Sequence, residues 1–494
     1  MYDLLVTGGT VVTATSAAPL DVAVVGERIA GIGLPGSFGS DGRRVIDASG
    51  CLVLPGGVDP HCHYRLEFEG ILTTEGQEYS PAAAYGGTTT IIDFADQLPP
   101  MGLLERVEEK KAEAAGRMAV DYGLHAILCK DISFDVIEEI GDVIRGGIPT
   151  IKTFMTYGYM SDDGQRYGAM REVAEHGGMS VVHAEDDAIA NWLTAKYVRE
   201  GKTHGAYISE TRGPLVEEAA IRRALLLAER AGSPLYVLHM AAGSGVEALA
   251  QARARGLPFY GETIAAYLSF TADDLWDDTP VEVNGRTYAG RGLLYNNFPT
   301  IKFAEDRDVL WQAVADDRLQ VVSTDHCLVS IADRFEIMGT TVESMQGGEA
   351  AVELRLPVLF HLGVQQGRIS LQRFVELVST NPAKIMGLYP QKGEIAVGGD
   401  ADIAILDPNR RWTVRWEDLH MTPGYSCWDG WELEGKVVTT ILRGSVLVDD
   451  EVFVGSKTGG KFVPRTLTPE IVGRPSDPGT TGRTRAHATA SADA

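Results

Sequence analysis

Two textures of hydrophobic patterning alternate along the chain. Over residues 1–54, short β-branched runs (YDLLVTGG, TVVTA, DVAVVG, ERIAGIG, RRVID) are cut by Gly, Ser and Asp, the pattern of short strands joined by turns. From CLVLPGG onward, continuous apolar runs alternate with longer segments of helical periodicity. The strand candidates are GGVDPHCH, TTTIIDFA, YGLHAILC, TIKTFMTY, SVVHAED, LYVLHMA, LPFYGETI and LQVVSTDHC. Between them lie helical patterns such as LLERVEEKKAEAAG, FDVIEEIGDVIRGG, EEAAIRRALLLAERAG and GVEALAQARARG. Strands covered on both faces read as unbroken apolar runs, so repeated β-then-α units predict an α/β fold, a (β/α)8 barrel over residues 55–390. Strand texture returns with GEIAVGGDADIAILDP and KVVTTILRGSVLVDD. Residues 1–54 and 391–455 are therefore expected to join in one small β-sandwich beside the barrel. Residues 456–494, rich in Gly, Thr, Pro, Arg and Ala, are expected to form a tail that is partly flexible or contacts another subunit.

Charge and cysteine content narrow the setting. A net charge of −24 argues against nucleic acid and anionic membrane surfaces as partners, because both reward a basic face. The five cysteines (Cys51, Cys62, Cys129, Cys327, Cys427) are scattered, odd in number and lack a CxxC, which predicts a reduced, cytoplasmic protein. The N-terminus lacks a basic region followed by an apolar run, and no stretch reaches the roughly 20 apolar residues of a membrane span, so neither signal peptide nor span is expected.

Candidate chemistry appears where a barrel places its active site, at the C-terminal ends of the strands. Four of the eleven histidines fall there: His61 and His63 after the first strand, His183 after the fifth and His239 after the sixth. Asp325 follows the eighth, and Lys152 sits inside the fourth, in PTIKTFMTYG. Each has a plain structural alternative: a hydrogen-bonded core histidine, a capping aspartate, a snorkelling lysine. Their coincidence at one mouth points instead to a metal centre, since imidazole and carboxylate suit zinc and similar cations. The HxH spacing puts both rings on one face of a strand. A second cation would need an anionic bridge to offset repulsion. An ammonium cannot serve, having donors and no acceptor, but a lysine neutralised by burial and neighbouring cations could react with CO2 to give a carboxylate-like carbamate.

The motifs GGVDPHCH, TIKTFMTY, VVHAEDD, YVLHMA and VVSTDHC, in this order and spacing, resemble the cyclic amidohydrolases, and most closely the dihydropyrimidinase/hydantoinase family. The resemblance runs from about Asp3 to Arg465 and includes NPAKIMGLYPQKGEIAVGGDADIAILDP and GGKFVPR. It implies that His61, His63 and Asp325 bind one of two divalent metal ions, with zinc the metal expected, and that His183 and His239 bind the other. Lys152, as N6-carboxylysine, would bridge them. It further implies that a hydroxide between the metals attacks a ring carbonyl, that Tyr157 polarises the carbonyl oxygen, and that Asp325 carries the proton to the leaving nitrogen.

Three segments depart from the family pattern. YNNFPTIK replaces a Ser-Pro-Pro type segment, with Asn297 the implied substrate contact, and SMQGGEAAVE replaces an Asn-Gly, with Gln346 the implied counterpart. The loop YRLEFEGILTTE is more polar than the family's usual lid, so Arg65 either faces solvent or meets a polar or anionic substituent. His326 is expected to be structural, Asp59 to orient a ligand or pack at its strand, and Cys62 and Cys327 to point away from the metals. The substrate implied is a small-molecule cyclic ureide or imide; allantoin, an acyclic urea, carbamate or amide, a one-metal nucleobase deamination and a non-catalytic scaffold are the alternatives. The family also implies a homo-oligomer, tetramer or dimer.

Overall fold

A computed structural model describes residues 1–39, 41–68, 71–130, 132–345 and 347–473. Eight parallel strands form the barrel: β1 (Gly57–Asp59), β2 (Thr88–Gln97), β3 (Asp121–Leu128), β4 (Thr150–Phe154), β5 (Met179–His183), β6 (Leu235–Val237), β7 (Phe259–Ile264) and β8 (Val321–Ser323). Each pairs with its chain neighbour from β1 through to β8. All ten residues of β2 and all eight of β3 are buried, as expected for strands packed inside and out.

The seam between β8 and β1 carries no backbone ladder among the described residues and is closed by side chains. Arg355, fully buried, donates to the carbonyls of Val58 (2.9 Å) and Val322 (3.3 Å) and to Thr88 Oγ1 (3.1 Å). Asp59 accepts from Thr324 Oγ1 at 2.7 Å, and above it Cys62–His63 pairs in parallel with His326–Cys327. The two segments bearing His61, His63 and Asp325 are thereby tied in register. Arg355→Met is expected to destabilise the fold by about 3 kcal/mol, because buried carbonyls and Asp59 lose their partner. A thermal melt would check this; an unchanged midpoint would mean the seam is held otherwise.

The chain ends form two further sheets. One orders Arg28–Gly33, Asp21–Val25, Tyr2–Thr7 and Gly42–Asp47; the other is seven-stranded and places Leu52–Pro55 against Ile403–Thr413. N- and C-terminal segments thus share one sheet, immediately before the chain enters β1. Leu4, Val22, Val53, Ile403 and Ile441 are buried together between them. Lys392 joins this unit to the barrel, its Nζ within 2.8, 3.1 and 2.7 Å of Asp121, Asp400 and Asp402.

Part of the segment expected as a tail from residue 456 packs on the barrel. Val463 N donates to Tyr122 O, and Arg465, 1% exposed, donates to Met386 O (3.1 Å) and Thr150 Oγ1 (2.7 Å). Val463, Leu467 and Ile471 are buried against the barrel. A few spaced apolar side chains and one arginine anchor a stretch whose composition is otherwise that of a linker. Residues 474–494 lie outside the described residues. Among the described residues no helix is long and apolar enough to cross a membrane.

Candidate functional site

The six anticipated ligands converge at the C-terminal mouth of the barrel. The rings of His61 and His63 lie 5.1 Å apart between centroids. Asp325 reaches both from beyond β8, its Oδ1 2.9 Å from His61 Nε2 and 3.4 Å from His63 Nε2. His183 ends β5 and His239 follows β6; their centroids are 4.5 Å apart, and His239 is 5.2 Å from His61. His239 (φ 34°), Asp325 (φ 50°) and Tyr157 (φ 64°) adopt left-handed backbone conformations, which turn the chain at the strand ends. Strain of this kind collects at functional sites. Lys152, 2% exposed in β4, lies over Phe94 (4.3 Å) and Phe154 (4.6 Å), with no hydrogen bond or ion pair among the described residues.

This donor set fits a cation. His61, His63 and Asp325 each offer a ligand atom, all within 4.8 Å of one another. Among the described residues, His61 Nε2, although close to Asp325, is not aligned for a hydrogen bond, and His63 Nδ1 and His239 Nδ1 are also buried without a hydrogen-bond partner. Burial pushes His63 down to about 3 and lowers His183 and His239, so these rings are neutral, the form that binds metal. Burial also opposes charge on His61, but Asp325 and Glu262 draw it up to about 9. Positive charge is thus favoured at this point. Asp325, despite burial, is held well below the carboxylate range by His61 and its neighbours. Lys152 is pushed down to about 8 by burial, against the pull of Asp325 and Glu262. A second acidic trio, Asp121, Asp400 and Asp402, is already filled by the Lys392 ammonium.

Two buried glutamates organise the candidate ligands. Glu262, on β7, accepts from His61 Nδ1 (2.5 Å), His239 N (3.2 Å) and the Tyr236 hydroxyl (2.8 Å). Glu185 Oε2 faces His183 Nε2 (2.9 Å), the Tyr157 hydroxyl (2.8 Å) and Arg212 Nη1 (3.3 Å). Such partners fix which imidazole nitrogen is free for a metal. Within LPFYGETI, the local signal for Glu262 is a carboxylate inside an otherwise apolar run.

A cavity of about 80 Å³ opens beside this centre. His63, Lys152, Tyr157, His183 and Asp325 line it together with Leu66, Phe154, Phe298, Val329 and Met338. Asn297 also lines it; its Oδ1 accepts from Phe298 N, while Nδ2 is buried without a partner among the described residues. Gln346 lies outside the described residues, whereas Gly347 and Gly348 line the wall.

Arg65 does not line the cavity. It is exposed and faces a separate recess with Glu67, Asp96 and Arg106. Two-residue alternation would have set it beside His61 and His63, but its φ of 51° breaks the alternation and Leu66 enters instead. Cys327, expected to point away, lines the cavity. Cys62 is buried beside Thr324. Asp59 accepts from His61 N at 3.3 Å, and His326 packs near Glu75 with Nδ1 accepting from Val352 N.

The amidohydrolase family profile matches residues 52–447. D-hydantoinases from Geobacillus stearothermophilus and Rhizobium radiobacter are each 37% identical over 465 residues, covering 93% of this chain and 96% and 98% of theirs. Among solved structures, a dihydropyrimidinase from Brevibacillus agri superposes with a TM-score of 0.87 at 35% identity, covering 94% of this chain and 99% of that one. An L-hydantoinase (dihydropyrimidinase) from Arthrobacter aurescens superposes with 0.84 at 30% identity, covering 94% and 100%.

Proposed function

Because the chain belongs to the amidohydrolase family, in its hydantoinase and dihydropyrimidinase branch, we propose that it is a metal-dependent hydrolase that opens the amide bond of a cyclic ureide or imide. The observation that carries this reading is the cluster of His61, His63, Lys152, His183, His239 and Asp325 at one barrel mouth, beside a small cavity that His63, Lys152, His183 and Asp325 line. His61, His63 and Asp325 would hold one divalent cation, His183 and His239 would hold a second, and Lys152, as N6-carboxylysine, would contribute a carboxylate to the pair. Zinc suits this set of imidazoles and carboxylates. Bound there, the cations supply Lewis acidity and make water a nucleophile at neutral pH.

The chain's own residues do the rest. Asp325, anionic in its buried place, accepts the proton of the attacking water and delivers it to the departing ring nitrogen. Tyr157, whose hydroxyl rests on Glu185, turns its proton to the carbonyl oxygen as charge develops. Asn297 Nδ2, unpartnered at the wall, offers a donor to the ring's ureide edge. Leu66, Phe298, Val329 and Met338 favour an apolar ring substituent, and the outward Arg65 removes the reason to expect an anionic one. Thiols without disulfides among the described residues support a reducing, cytoplasmic setting, and family membership supports a homotetramer or dimer.

A substrate panel on metal-loaded enzyme tests the reading. It should contain dihydropyrimidines, both enantiomers of alkyl and aryl hydantoins, allantoin, and acyclic ureas. Turnover is expected for cyclic ureides, with apolar substituents preferred over carboxylated ones. Hydrolysis of allantoin or acyclic ureas alone would move the assignment to those substrates, and no hydrolysis of any cyclic ureide would overturn it.

A further inference from the structure

One wall of the cavity is assembled from three segments that share no strand. They contribute Asn297 and Phe298, Met338, and Gly347 with Gly348. One buried side chain holds all three. Arg334, 5% exposed, donates from Nη2 to Leu293 O (2.6 Å) and Asn296 O (3.3 Å), and from Nη1 to Gly348 O (3.4 Å). Its own segment, Arg334–Met338, ends at the Met338 that lines the cavity. Gly348 N donates to Asn296 O at 3.3 Å, and the Tyr425 hydroxyl to Gly348 O at 3.2 Å.

Arg334 has no carboxylate within ion-pair distance among the described residues; the contacts recorded for its guanidinium are carbonyl oxygens. A buried cation without a counter-ion is costly unless its donors are satisfied, and the rigid fork of a guanidinium can reach carbonyls on separate segments where a lysine's single nitrogen cannot. The two loops also meet backbone to backbone. A Cβ at Gly347 would lie 2.7 Å from the Asn297 carbonyl carbon, and one at Gly348 (φ +146°) 2.5 Å from Cys327 O. No side chain can fill that junction, so the spacing of the wall depends on the hydrogen bonds that cross it.

We propose that Arg334 is a positioning residue for the substrate: it fixes the separation of the three wall segments and thereby the shape presented to the ring. The kinetic part rests on the hydrolase reading above; the clamp itself does not. Metal-loaded Arg334→Met and Arg334→Lys would be compared with wild type on the cyclic ureide turned over best. KM is expected to rise about tenfold or more while kcat changes by less than about threefold and metal content holds, because the wall contributes binding rather than chemistry. Added guanidinium ion should partly restore KM in Arg334→Ala. Hydrogen exchange should quicken around Asn297 and Gly348 and stay as in wild type in the barrel strands. An unchanged KM with unchanged local exchange would overturn the proposal. So would metal loss or faster exchange throughout the barrel, which would make Arg334 a general element of the fold. If wild type turns over no cyclic ureide, the hydrolase reading falls, and the exchange pattern still decides for or against the clamp.

Discussion

Lys152→Ala is expected to yield a folded barrel that binds substantially less metal and turns over its substrate at least about 10³-fold more slowly. The argument begins with burial. A lysine is almost never buried without a partner, yet Lys152 is 2% exposed and its nitrogen lies over two aromatic faces, with no ion pair among the described residues. Burial pushes it down to about 8, so the neutral amine is accessible near physiological pH even before cations arrive. Cations held by the four histidines would lower it further and make an ammonium untenable. Reaction of the amine with CO2 forms an N–C bond, releases a proton and leaves an anion with two oxygens. Loading of metal-free enzyme should accordingly be faster at pH 8, where about half of the amine is neutral, than at pH 6, where about 1% is. Acetate or propionate should restore part of the activity of the alanine variant by supplying the missing carboxylate. Full turnover with two metals per chain in Lys152→Ala would refute the bridging role.

The sequence made the candidate ligands legible because each has an unusual residue type for its place, a histidine, lysine or aspartate at the end of an apolar strand. It did not reveal what holds them. His61 and Glu262 are 201 positions apart, and Arg355 is 297 from Val58, so nothing local signals either partnership. Arg334 was invisible for the same reason: its acceptors are backbone carbonyls, which carry no residue identity. Arg65 shows a different limit. Alternation is a rule for extended chain, and one left-handed residue was enough to replace an arginine by Leu66 at the cavity. Arg465 shows that a segment's average composition can hide a single anchoring side chain.

Asp325→Asn carries the second large effect, a fall in kcat of about 10²–10⁴ with much of the metal retained, because asparagine keeps an oxygen ligand but cannot accept and return a proton. The carboxylate is placed for both duties. Its Oδ1 faces His61 and His63, and it lines the cavity where a ring would lie. Although burial works against its charge, His61 and the surrounding donors hold it well below the ordinary carboxylate range. A base with a depressed pKa is deprotonated at every pH above that value. The wild-type rate should therefore show no loss from this group as pH falls from neutral to the usual carboxylate range. The size of the defect should depend on the leaving nitrogen. An imide departs as a weaker base and needs less help from a proton donor than the nitrogen of a simple ring amide, so the variant should be less impaired on imides. Rates within about tenfold of wild type on both classes would show that the proton travels by another route.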